Sequence, residues 1–96
     1  MTSKERAYLR GLANNIDAIF QIGKGGISDN LVSQLSDALE ARELIKVSVL
    51  ETAPANARVL GNEIAEATGS ILVQTVGNKI TLYRARKKDY KIVLPK

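Results

Sequence analysis

Apolar positions recur at two spacings along this chain, and each change of spacing marks a new element. Ala7, Tyr8, Leu9, Leu12 and Ala13 form an apolar side at helical spacing. Thr2 and Glu5 ahead of them have the spacing of a capping box, and Asn14-Asn15 is a stop, so the first element is a helix. Gly11 inside it lowers the helix propensity. From Asp17 to Ile22 the period falls to two, with Ala18, Phe20 and Ile22 on one face and Ile19 on the other, which predicts a strand. After a cluster of glycines the helical period returns. Ser28 is placed to cap, Ile27 and Val32 have hydrophobic-staple spacing, and Asp29 suits the positive end of the helix. Leu31, Val32, Leu35, Ala38 and Leu39 carry the apolar stripe of this second helix to about Arg42.

Leu44 to Leu50 is aliphatic and β-branched and predicts a second strand, followed by a loop at Thr52–Asn56 that contains Pro54. A third helix is expected from Ala57 to Thr68, with Val59, Leu60, Ile64 and Ala67 on its core side and Gly69 closing it. Gly61 within it is either a weak point or a place where another element packs closely. Ile71–Val76 and Lys79–Arg84 flank Gly77-Asn78, a tight hairpin signal. The predicted order is α-β-α-β-α-β-β, an α/β fold with a four-stranded mixed sheet. Its strand–helix–strand step should cross over right-handed between parallel strands, with the second and third helices packed on the sheet. Near the end, Ile92-Val93-Leu94 is short and apolar and is expected to dock on the body.

Ninety-six residues with 45% hydrophobic content fit one domain, 1–96, with a single modest core and no need of metal or disulfide support. No apolar run approaches the roughly 18 residues of a membrane span. The charged start, Met1 to Arg10, lacks the apolar segment of a signal peptide, and cysteine is absent, so a cytoplasmic protein is expected. Histidine is absent as well. That removes the commonest general base, the usual nucleophile pairs and most zinc chemistry, and it argues against an enzyme and against a metal or other cofactor. The carboxylates Asp29, Asp37, Glu40, Glu43, Glu63 and Glu66 read mostly as polar helix faces.

The net charge of +4 is distributed unevenly. Residues 1–24 hold four basic and two acidic side chains, a net of +2; residues 25–78 hold three and seven, a net of −4; residues 79–96 hold seven and one, a net of +6. If the fold brings the two basic ends to one face, that face suits a polyanion. The chemically richest stretch is Ile22-Gly23-Lys24-Gly25-Gly26-Ile27-Ser28. Three glycines in four positions allow close backbone approach, and the loop runs into a helix N-terminus, where open N–H groups favour an anion. Lys24 adds a mobile cation. Phosphate binding and a purely geometric strand-to-helix turn both account for this loop. The P-loop and dinucleotide fingerprints both fail on spacing. Four aromatic residues, Tyr8, Phe20, Tyr83 and Tyr90, are too few for a base-stacking platform. Phe20 reads as core, and Tyr83 reads as either a stacking residue or a sheet residue.

Taken in order, Phe20-Gln21-Ile22-Gly23-Lys24-Gly25-Gly26-Ile27-Ser28, Val73-Gln74-Thr75-Val76-Gly77 and Thr81-Leu82-Tyr83-Arg84 resemble the CRM domain, named for chloroplast RNA splicing and ribosome maturation. The length is similar to that of its stand-alone prokaryotic form, the YhbY-like proteins. The resemblance implies a fold like the C-terminal domain of translation initiation factor three. It also implies binding to structured RNA in precursors of the large ribosomal subunit, through the loop positions Gly23, Lys24, Gly25 and Gly26. The family's second variable loop position is often basic, and here it is Gly25. More of the affinity is therefore expected from Arg84, Arg86, Lys87 and Lys88, and next from Lys4, Arg6 and Arg10. The expected partner is ribosomal RNA, with no membrane and no small-molecule substrate, and the expected state is a monomer. The competing reading is an adaptor whose basic surface grips an acidic protein.

Overall fold

The computed structural model describes residues 1–87 and 92–95. The element order is α1 (Ser3–Ala13), β1 (Phe20–Ile22), α2 (Asp29–Arg42), β2 (Leu44–Val49), α3 (Ala57–Thr68), β3 (Ile71–Val76) and β4 (Lys79–Tyr83). The strands form one sheet in the order β1-β2-β4-β3. β1 lies parallel to β2, and β4 lies antiparallel to both β2 and β3. This is the α/β fold with the mixed four-stranded sheet that the pattern predicts.

Local chemistry sets the element ends. Thr2 accepts from the Glu5 amide at 3.1 Å while Glu5 accepts from the Thr2 amide at 2.9 Å, which completes the capping box of α1. Ser28 and Asn56 cap α2 and α3 by accepting from the amides of Leu31 and Val59. Gly69 ends α3 at φ 66°, the left-handed conformation that glycine enters without strain.

The sheet separates two apolar clusters. On one face Ile22, Ile45, Val47, Val49, Ile80 and Leu82 meet Leu35 and Leu39 of α2 and Leu60 and Ile64 of α3. On the other, Leu44, Val73 and Tyr83 meet Leu9 and Ala13 of α1, and Ile92 and Leu94 pack against the same cluster. The expected docking of the terminal apolar run is therefore made by Ile92 and Leu94, while Val93 points outward, 79% exposed. Gly61 is the site of a close approach: a Cβ there would stand 2.9 Å from Leu72 and 3.3 Å from Ile80.

Several expectations need correction. β1 begins at Phe20 and not at Asp17, although the Ile19 amide still donates to the Lys46 carbonyl at 2.9 Å. Val59 and Ala67 are exposed, because α3 meets the sheet through Leu60, Gly61 and Ile64, and those two positions flank the seam. Ala7 and Tyr8 are exposed on α1 for the same reason. Tyr83 is buried under α1, so it is a sheet residue of the second core. Glu43 does not belong to a solvated face. It follows α2 at φ 67° and is fully buried, and its carboxylate accepts from the amides of Arg86 at 3.1 Å and Ile92 at 2.8 Å. It thereby ties the end of the chain to the body.

Candidate nucleic-acid interface

The glycine loop is a tight turn whose members have different duties. The Gly26 amide donates to the Gly23 carbonyl at 2.9 Å, which closes the turn. Gly26 sits at φ 64°, and a Cβ on it would lie 3.0 Å from the Pro54 ring, so both backbone and neighbour require glycine. Gly23 packs at ordinary distance against Leu50 and Thr52. Gly25 differs: a Cβ there would meet nothing within 4 Å. Lys24 and Gly25 form the exposed tip. The turn leads into α2, where Ser28 satisfies the Leu31 amide and the helix geometry leaves the Asp29 and Asn30 N–H groups without intrahelical acceptors. The Asp29 carboxylate stands in the same first turn, so an anion is best held on the glycine side of this helix end.

The sheet positions this loop. β1 and β2 are parallel, so the loops after Ile22 and Val49 emerge at one end of the sheet, beside the β3–β4 hairpin. Leu50 donates to the Ile22 carbonyl at 2.8 Å, and Val49 donates to that of Asn78 at 2.7 Å. Arg84 lies at the opposite end, where its amide donates to the Glu43 carbonyl. The five residues of β4 put about 17 Å between the two ends. The glycine loop and the basic segment after β4 are thus not one compact patch. Among the described residues, Ile92 and Leu94 of the C-terminal segment share the second core with α1.

The basic residues named from sequence divide by what they touch. Arg84 is held on three sides: it donates to the Ser36 hydroxyl at 3.0 Å, the Ser36 carbonyl at 2.7 Å and the Thr68 carbonyl at 2.7 Å, with Glu40 at 3.8 Å. Arg6 donates to the carbonyls of Leu72 at 2.8 Å and Val73 at 2.6 Å, where the pairing of β3 with β4 shifts register. Both guanidiniums therefore join elements of the fold. Arg10 follows Arg6 by one turn on the same flank of α1 and is exposed, as is Lys4. Arg86 is half-buried, and Lys87 is exposed beside a groove that also contains Asp37 and Glu40. Those carboxylates dilute the positive potential there. Lys88 lies outside the described residues.

Two further cations were not among the site residues named from sequence. Ile45 and Val47 belong to the main core, so Lys46 between them projects to the opposite face. Ile80 likewise faces the main core, so Lys79 projects with Lys46, and its ammonium donates to the Ser48 hydroxyl at 2.7 Å. Lys46 pairs across the ladder with Thr81, and Gln21, Ser48 and Lys79 form one row across β1, β2 and β4. α1 covers this face around Leu44, Val73 and Tyr83, at the end far from the glycine loop; beyond that cluster Ser48 and Thr81 are also buried, Lys46 is half-buried, and Gln21 and Lys79 are exposed. None of the four strands contains Asp or Glu. Lys46 is hidden in the sequence because it lies in the segment with net charge −4. The available signal was its place between two core residues of a strand.

Among the described residues, no group of three or more carboxylates, histidines or cysteines could hold a metal ion, and no helix is long and apolar enough to cross a membrane. The site offers turn amides, a helix N-terminus and cations, which suits recognition of phosphate.

The fold agrees with what is found among known proteins. Residues 1–84 match the model of the CRS1/YhbY (CRM) domain, and the chain belongs to that family. It is 44% identical over 95 residues to the Probable RNA-binding protein YqeI of Bacillus subtilis, covering 99% of each chain. It is 30% identical over 96 residues to a protein of Haemophilus influenzae named RNA-binding protein, covering 100% of this chain and 96% of the other. The solution structure of the hypothetical protein SAV1595 from Staphylococcus aureus superposes with a TM-score of 0.83 at 50% identity, covering 99% of each chain.

Proposed function

We propose that this chain is a non-catalytic RNA-binding module that grips the phosphate backbone of structured RNA, and that its partner is ribosomal RNA of the assembling large subunit. The observation that carries the proposal is the tip of the glycine turn. Gly25 faces open space beside an exposed Lys24, at a turn that ends on a helix N-terminus. A backbone with no side chain to bar approach, next to amides and a cation, suits a phosphate oxygen. The names of the Bacillus and Haemophilus relatives support RNA as the ligand class. The ribosomal partner is supported by the resemblance of the loop and the β3–β4 motifs to the CRM domain.

Shape, not base identity, is what such a surface reads, because turn amides and lysines meet phosphates and carry no sequence information. The test is the affinity of the purified chain for transcribed 23S ribosomal RNA across a salt series. Affinity is expected to fall steeply with salt as phosphate contacts release counterions. Lys24→Ala should weaken binding while the melting temperature stays within about 2 °C of wild type, the small effect usual for an exposed surface substitution. Salt-independent binding, or loop variants that bind like wild type, would remove this site from the proposal. Crosslinking in cells followed by sequencing of the attached RNA tests the ribosomal partner. Recovery chiefly of other transcripts would refute that part.

A further inference from the structure

We infer that the RNA footprint runs from the glycine turn onto the sheet face that carries Lys46 and Lys79, where the two lysines contact the same sugar-phosphate chain; this rests on the RNA-binding proposal above. A lysine in a strand loses β propensity, and two stand together on this face: Lys46 half-buried within β2, and Lys79 exposed at the start of β4 with its ammonium on the Ser48 hydroxyl. They are diagonal neighbours on antiparallel strands, one pairing with Thr81 and the other with Ser48, which sets them about 7–8 Å apart. No carboxylate occurs in any strand to neutralise them. Lys79 belongs to the row Gln21–Ser48–Lys79, and Gln21 is two residues before Gly23. Three adjacent strands span about 10 Å, so loop and lysines lie within reach of one stretch of backbone.

The remaining side chains of this face settle how it would bind. Ser48 and Thr81 are buried, at 5% and 1% exposure, and exposed Gln21 adds an amide beside the lysines, while Tyr83, the one aromatic residue of the strands that points this way, is buried under α1. The face therefore offers charge and hydrogen bonds with no ring on which a base could stack, in contrast to sheet platforms that splay bases over aromatics. Phosphate and ribose contact fits this chemistry, and tolerance of base sequence follows.

The experiment measures affinity and salt slope for transcribed 23S ribosomal RNA with the full chain. The variants are Lys46→Gln/Lys79→Gln, the charge-keeping Lys46→Arg/Lys79→Arg, and Arg42→Gln/Arg58→Gln. The last pair removes the same charge from exposed positions on the helix layer of the opposite face. The glutamine pair on the sheet should weaken binding about tenfold and lower the log–log salt slope by roughly two, one for each lost phosphate contact. The arginine pair should bind like wild type, and the helix-layer pair should change little. Equal losses in the two glutamine pairs would reduce the effect to net charge and overturn the inference. Wild-type affinity in the sheet pair, with Lys24→Ala still weakened, would overturn it while leaving the loop proposal intact. Failure of the wild-type chain to bind RNA would sink both. Should the glutamine pair unfold, weakened binding by the folded arginine pair would likewise count against the inference.

Discussion

The guanidinium of Arg84 donates to the main-chain carbonyl of Thr68 at 2.7 Å, binding the residue after β4 to the last turn of α3. The same group holds Ser36 of α2 through both hydroxyl and carbonyl. One side chain thus bonds acceptors on two helices, α2 and α3.

Arg84→Ala is expected to destabilise the fold by about 2–4 kcal/mol, since it removes charge-assisted hydrogen bonds and takes the arginine donor from the Thr68 carbonyl at the end of α3. Arg84→Lys should recover little of this, because one ammonium cannot reproduce the fork. Chemical denaturation measures it. Wild-type stability with lost RNA affinity would instead make Arg84 a ligand-facing residue.

Within the glycine turn, substitution should separate structure from binding. Gly25→Val has room and an unexceptional backbone, so it should melt near wild type and still weaken RNA binding by blocking approach. Gly26→Ala meets the Pro54 ring and a positive φ together, and should cost about 1–3 kcal/mol of stability. Paired melting and affinity measurements on the two variants check the division.

Glu43 holds the amides of Arg86 and Ile92 from a fully buried position. Glu43→Ala would strand both donors and is expected to cost about 2–4 kcal/mol. Hydrogen exchange at the Ile92 amide should accelerate more than exchange in α3. Equal acceleration throughout would mean the carboxylate supports the whole fold and not this attachment.

At Gly61, a larger side chain must displace Leu72 and Ile80. Gly61→Val is expected to destabilise by about 1–3 kcal/mol, with the overpacking outweighing the gain in helix propensity. A variant as stable as wild type would show that α3 can lift from the sheet without loss.

The Glu5 carboxyl titrates below its ordinary value, first because it accepts from the Thr2 amide, and then because of the Thr2 hydroxyl. A folded value below the unfolded one means that its support for α1 is present above the unfolded value. That support fades as pH falls through the folded value. Amide exchange in the first turn of α1 should therefore quicken in acid, and Glu5→Gln should flatten that dependence. An unchanged profile in the variant would assign the effect to another group.

Periodicity and local capping determined the order of elements, the mixed sheet, the capping box at Thr2 and Glu5, and the Gly69 stop. Each depends on neighbours a few residues apart, so each was legible along the chain. The glycine turn was legible for the same reason. What the string of residues could not convey was which side of an element meets the core. Val59, Ala67 and Tyr8 were assigned inward and lie outward, because the packing seam is chosen by the partner element. Only the tertiary structure decided the fate of the charges. It enclosed Glu43, engaged Arg84 and Arg6 within the fold, and set Arg84, Arg86 and Lys87 at the far end of the sheet from the turn. It also brought Lys46 and Lys79 together across antiparallel strands. The reason is physical: charge acts through space, and the spacing between two side chains is set by strand pairing and not by their distance along the chain.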